Sequence, residues 1–305
     1  MDRVIVVDNA STDDTAAWLA GQGDPRLQVL RLAQNSGGAG GFAAGMAAAT
    51  ELSPAPDWIL LLDDDAHPRP GALAQFRRDI AAMGTDLPAV AAAAVYLPDG
   101  RIAEMNRPSR NPFWHPTLLL RTLLRGNRAG FHLPDSAFVP TAPVQEIDLA
   151  SFVGYFVSRA AIARAGLPEA GLFIYGDDVL YSLRLRRAGL SLRFLPAVQF
   201  EHDCATMGEG FIYRPLWKIY YHCRNGVAIA RAAAGPVVFP AALLWYVVLW
   251  ARRGQYYTVP EQQLYRKMMW QGIRDGLRGR RGRNDVIHQM AAAPKAPLAE
   301  PKRSG

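Results

Sequence analysis

A short apolar run, Trp58 to Leu62, stops abruptly at three consecutive aspartates, Asp63, Asp64 and Asp65. The run reads as a buried strand. Three adjacent carboxylates at its end repel one another, and a fold that keeps them there needs a cation to neutralise them. In an extended chain the first and third side chains point the same way, so Asp63 and Asp65 can share one ion. Hard oxygen ligands suit Mg²⁺ or Mn²⁺, which commonly bridge carboxylates to phosphates. A solvated acidic turn is the bland alternative. The position at the end of a hydrophobic strand favours the metal.

The surrounding chain repeats the same architecture. Val4 to Val7 is a β-branched run ending at Asp8, followed by turn and cap residues and a short helix from Thr15 to Ala20. Leu27 to Leu32 alternates like a second strand. The glycine-rich Gly37 to Gly41 leads into an alanine-rich helix from Phe42 to Glu51, and Gly71 to Met83 is helical in pattern. Strands alternating with helices predict an α/β domain with a largely parallel sheet, whose ligands sit at the carboxyl ends of the strands. Residues 99–145, rich in Pro, Arg and Asn, read as long loops over the site. Order returns with strand and helix over 150–165, a helix from Val179 to Ala188 closed by Gly189, and a strand from Leu192 to Phe200 ending at Glu201-His202-Asp203.

Charge divides the chain. Residues 1–211 hold 18 Lys/Arg against 23 Asp/Glu, a net of −5, and residues 212–305 hold 16 against 4, a net of +12, giving +7 overall. A basic segment on an acidic body predicts a polyanionic contact, nucleic acid or an anionic membrane surface. Val237 to Trp250 is apolar, interrupted only by Pro240 and ended by Arg252-Arg253. Fourteen residues fall short of the roughly 20 a spanning helix needs. Aromatics flanked by arginines suit an interfacial segment, and a buried core helix is equally compatible. Two cysteines exclude a disulfide scaffold. The expected divisions are a catalytic α/β part over 1–211, a helical membrane-associating region over 212–290, and a disordered tail over 291–305.

Three further groups carry chemistry. Asp177-Asp178 at a helix start reads as a cap or as a general base tuned by its neighbour. His202, at a strand end, falls on the same sheet edge as the aspartate triplet, which suggests metal ligation. Gly37 to Gly41 is a candidate phosphate cradle or a flexible loop, but no Walker A pattern is present.

Taken in order, VIVVDNASTDDT (4–15), NSGGAGGF (35–42), LLLDDDAHPRPGAL (60–73), FIYGDDVLYSLRLRRAG (173–189) and FEHD (200–203) resemble family 2 glycosyltransferases of the GT-A fold. Within that family the NSGGAGGF and DD motifs look like galactofuranosyltransferases, with rhamnosyltransferases as near neighbours. The resemblance implies that Asp8 contacts the nucleotide base, and that Asn35 and Asp64 belong to the donor site. It implies a metal, Mn²⁺ or Mg²⁺, on Asp63, Asp65 and His202, and a catalytic base at Asp178 with Asp177 beside it. Phe152 and Tyr155 fall where relatives offer aromatic residues to the acceptor sugar. The implied partners are a nucleotide-diphosphate sugar (UDP-galactofuranose or dTDP-rhamnose), a polyprenyl-linked glycan and the cytoplasmic face of the membrane, with no nucleic acid.

Two departures stand out. Leu180 replaces the acid that relatives usually carry two residues after the base. Relatives also begin with a strand and a base-holding turn that would precede Val4, so an upstream in-frame extension is expected, and Val4 to Val7 should have one unpaired edge. Competing readings are a nucleotidyl-transferring α/β enzyme, disfavoured by the lack of a basic phosphate loop near Gly37, and a basic nucleic-acid-binding protein.

Overall fold

The computed structural model describes residues 1–203 and 212–292. In chain order the elements are β1 (Val4–Asp8), α1 (Thr15–Ala20), β2 (Leu27–Arg31), α2 (Gly37–Thr50), β3 (Trp58–Leu61), β4 (Ala66–Pro68), α3 (Ala72–Met83) and β5 (Val90–Tyr96). There follow α4 (Pro116–Arg125), β6 (Gln145–Ile147), β7 (Tyr155–Ser158), α5 (Arg159–Ala165), α6 (Asp177–Arg187) and β8 (Leu192–His202). The last described elements are three helices: α7 (Trp217–Arg253), α8 (Val259–Leu277) and α9 (Asp285–Ala292). The expected tail falls almost wholly on 293–305, outside the described residues.

β5 organises the main sheet, whose order is β3-β7-β5-β8-β4 with β6 also on β8. Residues Val90 to Val95 are all buried, and their side chains alternate between two cores. Val90, Ala92 and Ala94 pack with Met46, Phe138 and Phe194, whereas Ala91, Ala93 and Val95 pack with Ala72, Phe76 and Phe200. A strand covered on both faces needs no polar alternation. Small side chains also let neighbours close in: a Cβ on Gly154 would stand 2.8 Å from that of Ala93.

β8 gives one edge to β5, in parallel, and shares the other between β6 at its start and β4 at its end, both antiparallel. The parallel register shifts between Ala93 and Ala94, opposite the Pro196 stretch of β8, where proline has no N–H for the ladder. β7 runs antiparallel to both β3 and β5. The sheet is therefore mixed and not largely parallel. The chain after the triplet also differs from the simple turn expected there, because Ala66–Pro68 forms a strand.

β1 and β2 form a separate parallel pair. The other edge of β1 has no strand partner among the described residues. α2 packs against both β1 and β3, so one alanine-rich helix covers strands of both sheets. Its first turn is the glycine cluster itself, from Gly37, where a loop to Phe42 is expected from sequence. The stretch 99–145 is likewise more ordered than loops, containing α4, β6 and several single helical turns.

The C-terminal helices pack on each other and on Phe173, Ile174 and Tyr175, which lie just before α6. α7 is two helices joined at Gly235 (φ 72°, ψ 172°), followed by Pro236. α8 approaches α7 through glycines: a Cβ on Gly272 or Gly276 would overlap the Tyr220 or Arg224 carbonyl. This contact seats the first half of α7 against the 172–176 segment.

Candidate metal centre and active site

The pairing of β4 with β8 builds the acidic site. It sets Ala66 opposite His202, and the Asp203 N–H donates to the Asp65 carbonyl at 2.9 Å. Asp63, Asp65 and His202 each offer one ligand atom, all within 4.8 Å of one another. Asp64 is exposed. It lies with Asp65 in a tight turn closed by the Ala66 N–H on the Asp63 carbonyl at 3.2 Å, so a turn, and not the alternation of an extended chain, brings Asp63 and Asp65 together. Two carboxylate oxygens and one imidazole nitrogen at this spacing fit a hard divalent cation of the Mn²⁺ or Mg²⁺ type.

His202 is buried and its orientation is fixed. Its Nδ1 lies 2.8 Å from the Asn106 side-chain oxygen, while the Asn106 amide nitrogen donates to Ser151 Oγ at 2.9 Å. Nδ1 is thereby assigned as the protonated donor, which turns Nε2 toward Asp65, 2.9 Å from Oδ1. A hydrogen bond of this kind to the far ring nitrogen holds a metal-binding imidazole in one tautomer. Nothing in sequence singles out Asn106, because an asparagine in a Pro/Arg-rich stretch is ordinary.

Withdrawal from water raises Asp63 to about 6; His202 opposes the rise, and Asp65 and Asp64 add to it. Asp177 and Asp178, at the start of α6, are both pushed up, first by burial. For Asp178 the neighbouring Asp177 charge adds next, and Asp63 contributes to both. The triplet and the pair therefore act on one another electrostatically. Asp178 Oδ1 also accepts from the Val179 N–H at 2.7 Å. Such concentrated negative charge is tolerated where a cation is expected.

The segment that presents the pair is strained. Phe173 (φ 66°, ψ −65°) is the centre of a γ-turn closed by the Ile174 N–H on the Leu172 carbonyl at 2.8 Å, and Tyr175 has φ 69°. Bulky residues at positive φ cost roughly 1–3 kcal/mol each and persist only where surroundings over-determine them. Two clamps do so here. On one side the Ala39 N–H donates to the Phe173 carbonyl at 3.1 Å, and Gly37 lies where any Cβ would overlap that carbonyl. On the other, the buried Asn225 amide donates to Leu172, Ile174 and Tyr175 carbonyls at 2.8–3.0 Å, and buried Arg224 donates to Leu172 at 2.7 Å and Gly282 at 2.6 Å. The glycine cluster is thus a close-approach surface for protein backbone. Neither Asn225 nor Arg224 carries a sequence signal for this role.

The remaining candidates take these positions. Asp8 is buried at the end of β1, accepting from the Ser11 N–H at 2.8 Å, a bond that holds its carboxyl below the usual range. Its Oδ2 has no hydrogen bond, with Arg31 Nε at 3.4 Å. Asn35 is exposed and its side-chain oxygen accepts from the Gly37 N–H at 2.9 Å, closing its own turn. Asn9, absent from the sequence expectations, ties the end of β1 to this loop by accepting from the Ser36 N–H and donating to the Gly37 carbonyl. Phe152 and Tyr155 correct an expectation. Both are buried, packed on each other and on Tyr181, and Tyr155 meets Ser182 at 3.3 Å, so they belong to the core.

Residues 2–143 match the family model described as Glycosyl transferase family 2. The chain carries a family 2 glycosyltransferase domain. It is 33% identical over 210 residues to galactofuranosyltransferase GlfT1 of Mycobacterium tuberculosis H37Rv, covering 67% of this chain and 62% of that protein. To GlfT1 of Mycolicibacterium smegmatis it is 28% identical over 205 residues, with the same coverage of 67% and 62%. The chain thus spans a little under two thirds of these relatives' length. Among solved structures, GalNAc-T7 with UDP, GalNAc and Mn²⁺ aligns with a TM-score of 0.46 and 12% identity over 80% of this chain and 48% of that one. Asp63 and Asp65 lie within the stretch that the family model matches, whereas Asp177, Asp178 and His202 lie beyond it.

Two measurements follow. Asp63 has a folded pKa above its ordinary value, so proton binding favours the folded state at low pH and that contribution disappears as pH rises through about 6. A divalent ion should therefore stabilise more at pH 8 than at pH 5. We expect millimolar Mn²⁺ to raise Tm by about 4 °C at pH 8, by less at pH 5, and not at all in Asp65→Ala. An equal shift in that variant would reject the ligand set. Separately, Asn225→Leu should lower stability by about 2 kcal/mol in chemical denaturation, because carbonyls of a strained turn lose their donor, while Mn²⁺ protection remains.

Proposed function

We propose that the chain is an inverting, divalent-metal-dependent glycosyltransferase that moves galactofuranose from a nucleoside-diphosphate donor to a lipid-linked glycan hydroxyl. The observation that carries this reading is the convergence of Asp63, Asp65 and His202 beside the raised carboxyls of Asp177 and Asp178. The named activity of the GlfT1 relatives supports the choice of sugar.

Asp63, Asp65 and His202 would hold the cation, which neutralises the donor diphosphate as it leaves. Asp8 keeps a buried carboxylate oxygen that accepts no hydrogen bond, an acceptor suited to the N–H of a pyrimidine base. Asp178 takes the proton of the acceptor hydroxyl as that oxygen bonds to the anomeric carbon and the bond from carbon to diphosphate oxygen breaks. One displacement inverts the configuration, and no second nucleophile is needed. Burial and the Asp177 charge raise Asp178, which brings a carboxylate base toward the operating range. The strained 172–176 segment fixes where that base stands.

Membrane attachment through α7 is part of the same reading. By length and composition it is the one candidate span among the described residues. Its second half has two faces: Phe239, Ala242, Leu243, Tyr246 and Trp250 pack on protein, while Val237, Leu244, Trp245 and Val248 are exposed. Such a helix suits lying in the interface of an anionic bilayer with the exposed Arg252 at its end.

A donor screen tests the chemistry. UDP-galactofuranose should support Mn²⁺-dependent transfer, and preference for dTDP-rhamnose would overturn the sugar. Asp178→Asn should keep donor and Mn²⁺ binding yet lose turnover by about a thousandfold. Activity should fall on the acid side as Asp178 takes up a proton, and Asp177→Asn should move that limb to lower pH because a neighbouring negative charge is removed. Normal turnover in Asp178→Asn would remove the base.

A further inference from the structure

Three of the five leucines of α4 lie largely uncovered. Its ten residues, PTLLLRTLLR, include none that is buried. Leu120, Leu123 and Leu124 are 59, 52 and 78% exposed, and their i, i+3, i+4 spacing puts them on one face. Arg121 and Arg125, also exposed, lie one turn apart beside it.

The helix is nevertheless firmly mounted. Pro116 starts it, and Gly126 in the left-handed conformation ends it with its N–H on the Thr122 carbonyl at 2.8 Å. Gly130 packs so closely on Thr122 that any Cβ would overlap its backbone. Before the helix, the buried Asn111 amide donates to the Ala233 carbonyl of α7 at 2.9 Å. After it, the Arg128 charge acts on the Tyr246 phenol of α7. Through Asn111, α4 is thus tied to the helix whose outer residues Val237, Leu244, Trp245 and Val248 are also exposed.

Charge selects the occupant. From Met105 to Pro134 the chain has five arginines and no acid; Arg107 is engaged by Glu104 and Asp135 at the borders. A two-fold dimer through this face would set Arg121 and Arg125 against their copies. Three leucines a side would also supply only a few hundred Å2, against the roughly 1,200 Å2 of a stable interface. An anionic bilayer accepts both features, because leucines enter the acyl boundary while arginine stems reach back to phosphate.

We propose that α4 is an amphipathic membrane anchor, a second contact beside α7 that docks the protein on anionic lipid through Leu120, Leu123, Leu124, Arg121 and Arg125. It rests on the membrane reading of α7 but uses separate residues, so the two are separable. The test is co-sedimentation of the full chain with vesicles of equal parts phosphatidylglycerol and phosphatidylcholine. Leu120→Ser/Leu124→Ser and Arg121→Glu/Arg125→Glu alter exposed side chains, and unchanged circular dichroism would confirm their fold. Each pair should weaken binding by about tenfold or more, and binding by the arginine pair should respond less to salt than wild type. Leu244→Ser/Val248→Ser reports on α7 alone. Wild-type binding that both α4 pairs retain would overturn the α4 anchor and leave α7 standing. Loss in the α4 pairs but not in the α7 pair would uphold α4 against α7. No vesicle binding by wild type would overturn both, and a dimer in light scattering that dissociates in the leucine pair would assign the face to a second copy.

Discussion

The antiparallel pairing of β4 with β8 is the constraint on which the rest of the site depends. Without it the aspartates would end a strand in open solvent, and His202 would be one of six histidines with no particular neighbour. Three residues of β4 suffice because the Ala66 to His202 register and the bond from the Asp203 N–H to the Asp65 carbonyl fix both chains at once. Asn106 then sets the ring. The repulsion stored by the carboxylates is the thermodynamic counterpart of that geometry, since it is released when a cation arrives.

A second dependence runs from the C-terminal helices to the carboxylate pair. Asn225 and Arg224 lie on α7, yet their donors are spent on the carbonyls of 172–175. The glycines of α8 keep α7 close enough for this to happen. The basic, aromatic region is therefore more than an attachment to the α/β part. It holds two bulky residues at positive φ immediately ahead of Asp177, and Gly37 is the counter-surface on the other side. A glycine-rich stretch can look like a phosphate cradle while its glycines serve a close approach between two segments of backbone.

What was legible in the sequence follows from what is local. The aspartate triplet, the Asp177-Asp178 pair and His202 announce themselves because acids at strand and helix ends need partners, although a turn over 63–66, and not strand alternation, sets Asp63 and Asp65 together. β5 was illegible: VAAAAVY lacks period-two polarity and alanine favours helices, and only burial on both faces makes it a strand. Asn106 and Asn225 were invisible because their work is defined by residues 96 and about 50 positions away. α4 shows the opposite failure. Its proline start and leucine spacing were readable, but the Pro, Arg and Asn around it make the whole stretch look like loop. Phe152 and Tyr155 mislead for a related reason, since an aromatic in a site-bearing segment can as easily face the core.

The central claim, that one imidazole and two carboxylates separated by 137 residues of chain meet at a single cation, is tested most directly by pulsed EPR of Mn²⁺ bound to the full chain. The account predicts modulation from one histidine nitrogen coordinated to the ion, absent in His202→Gln and retained in variants of the other histidines. A Mn²⁺ signal with no nitrogen coupling, or one that survives His202→Gln unchanged, would contradict it.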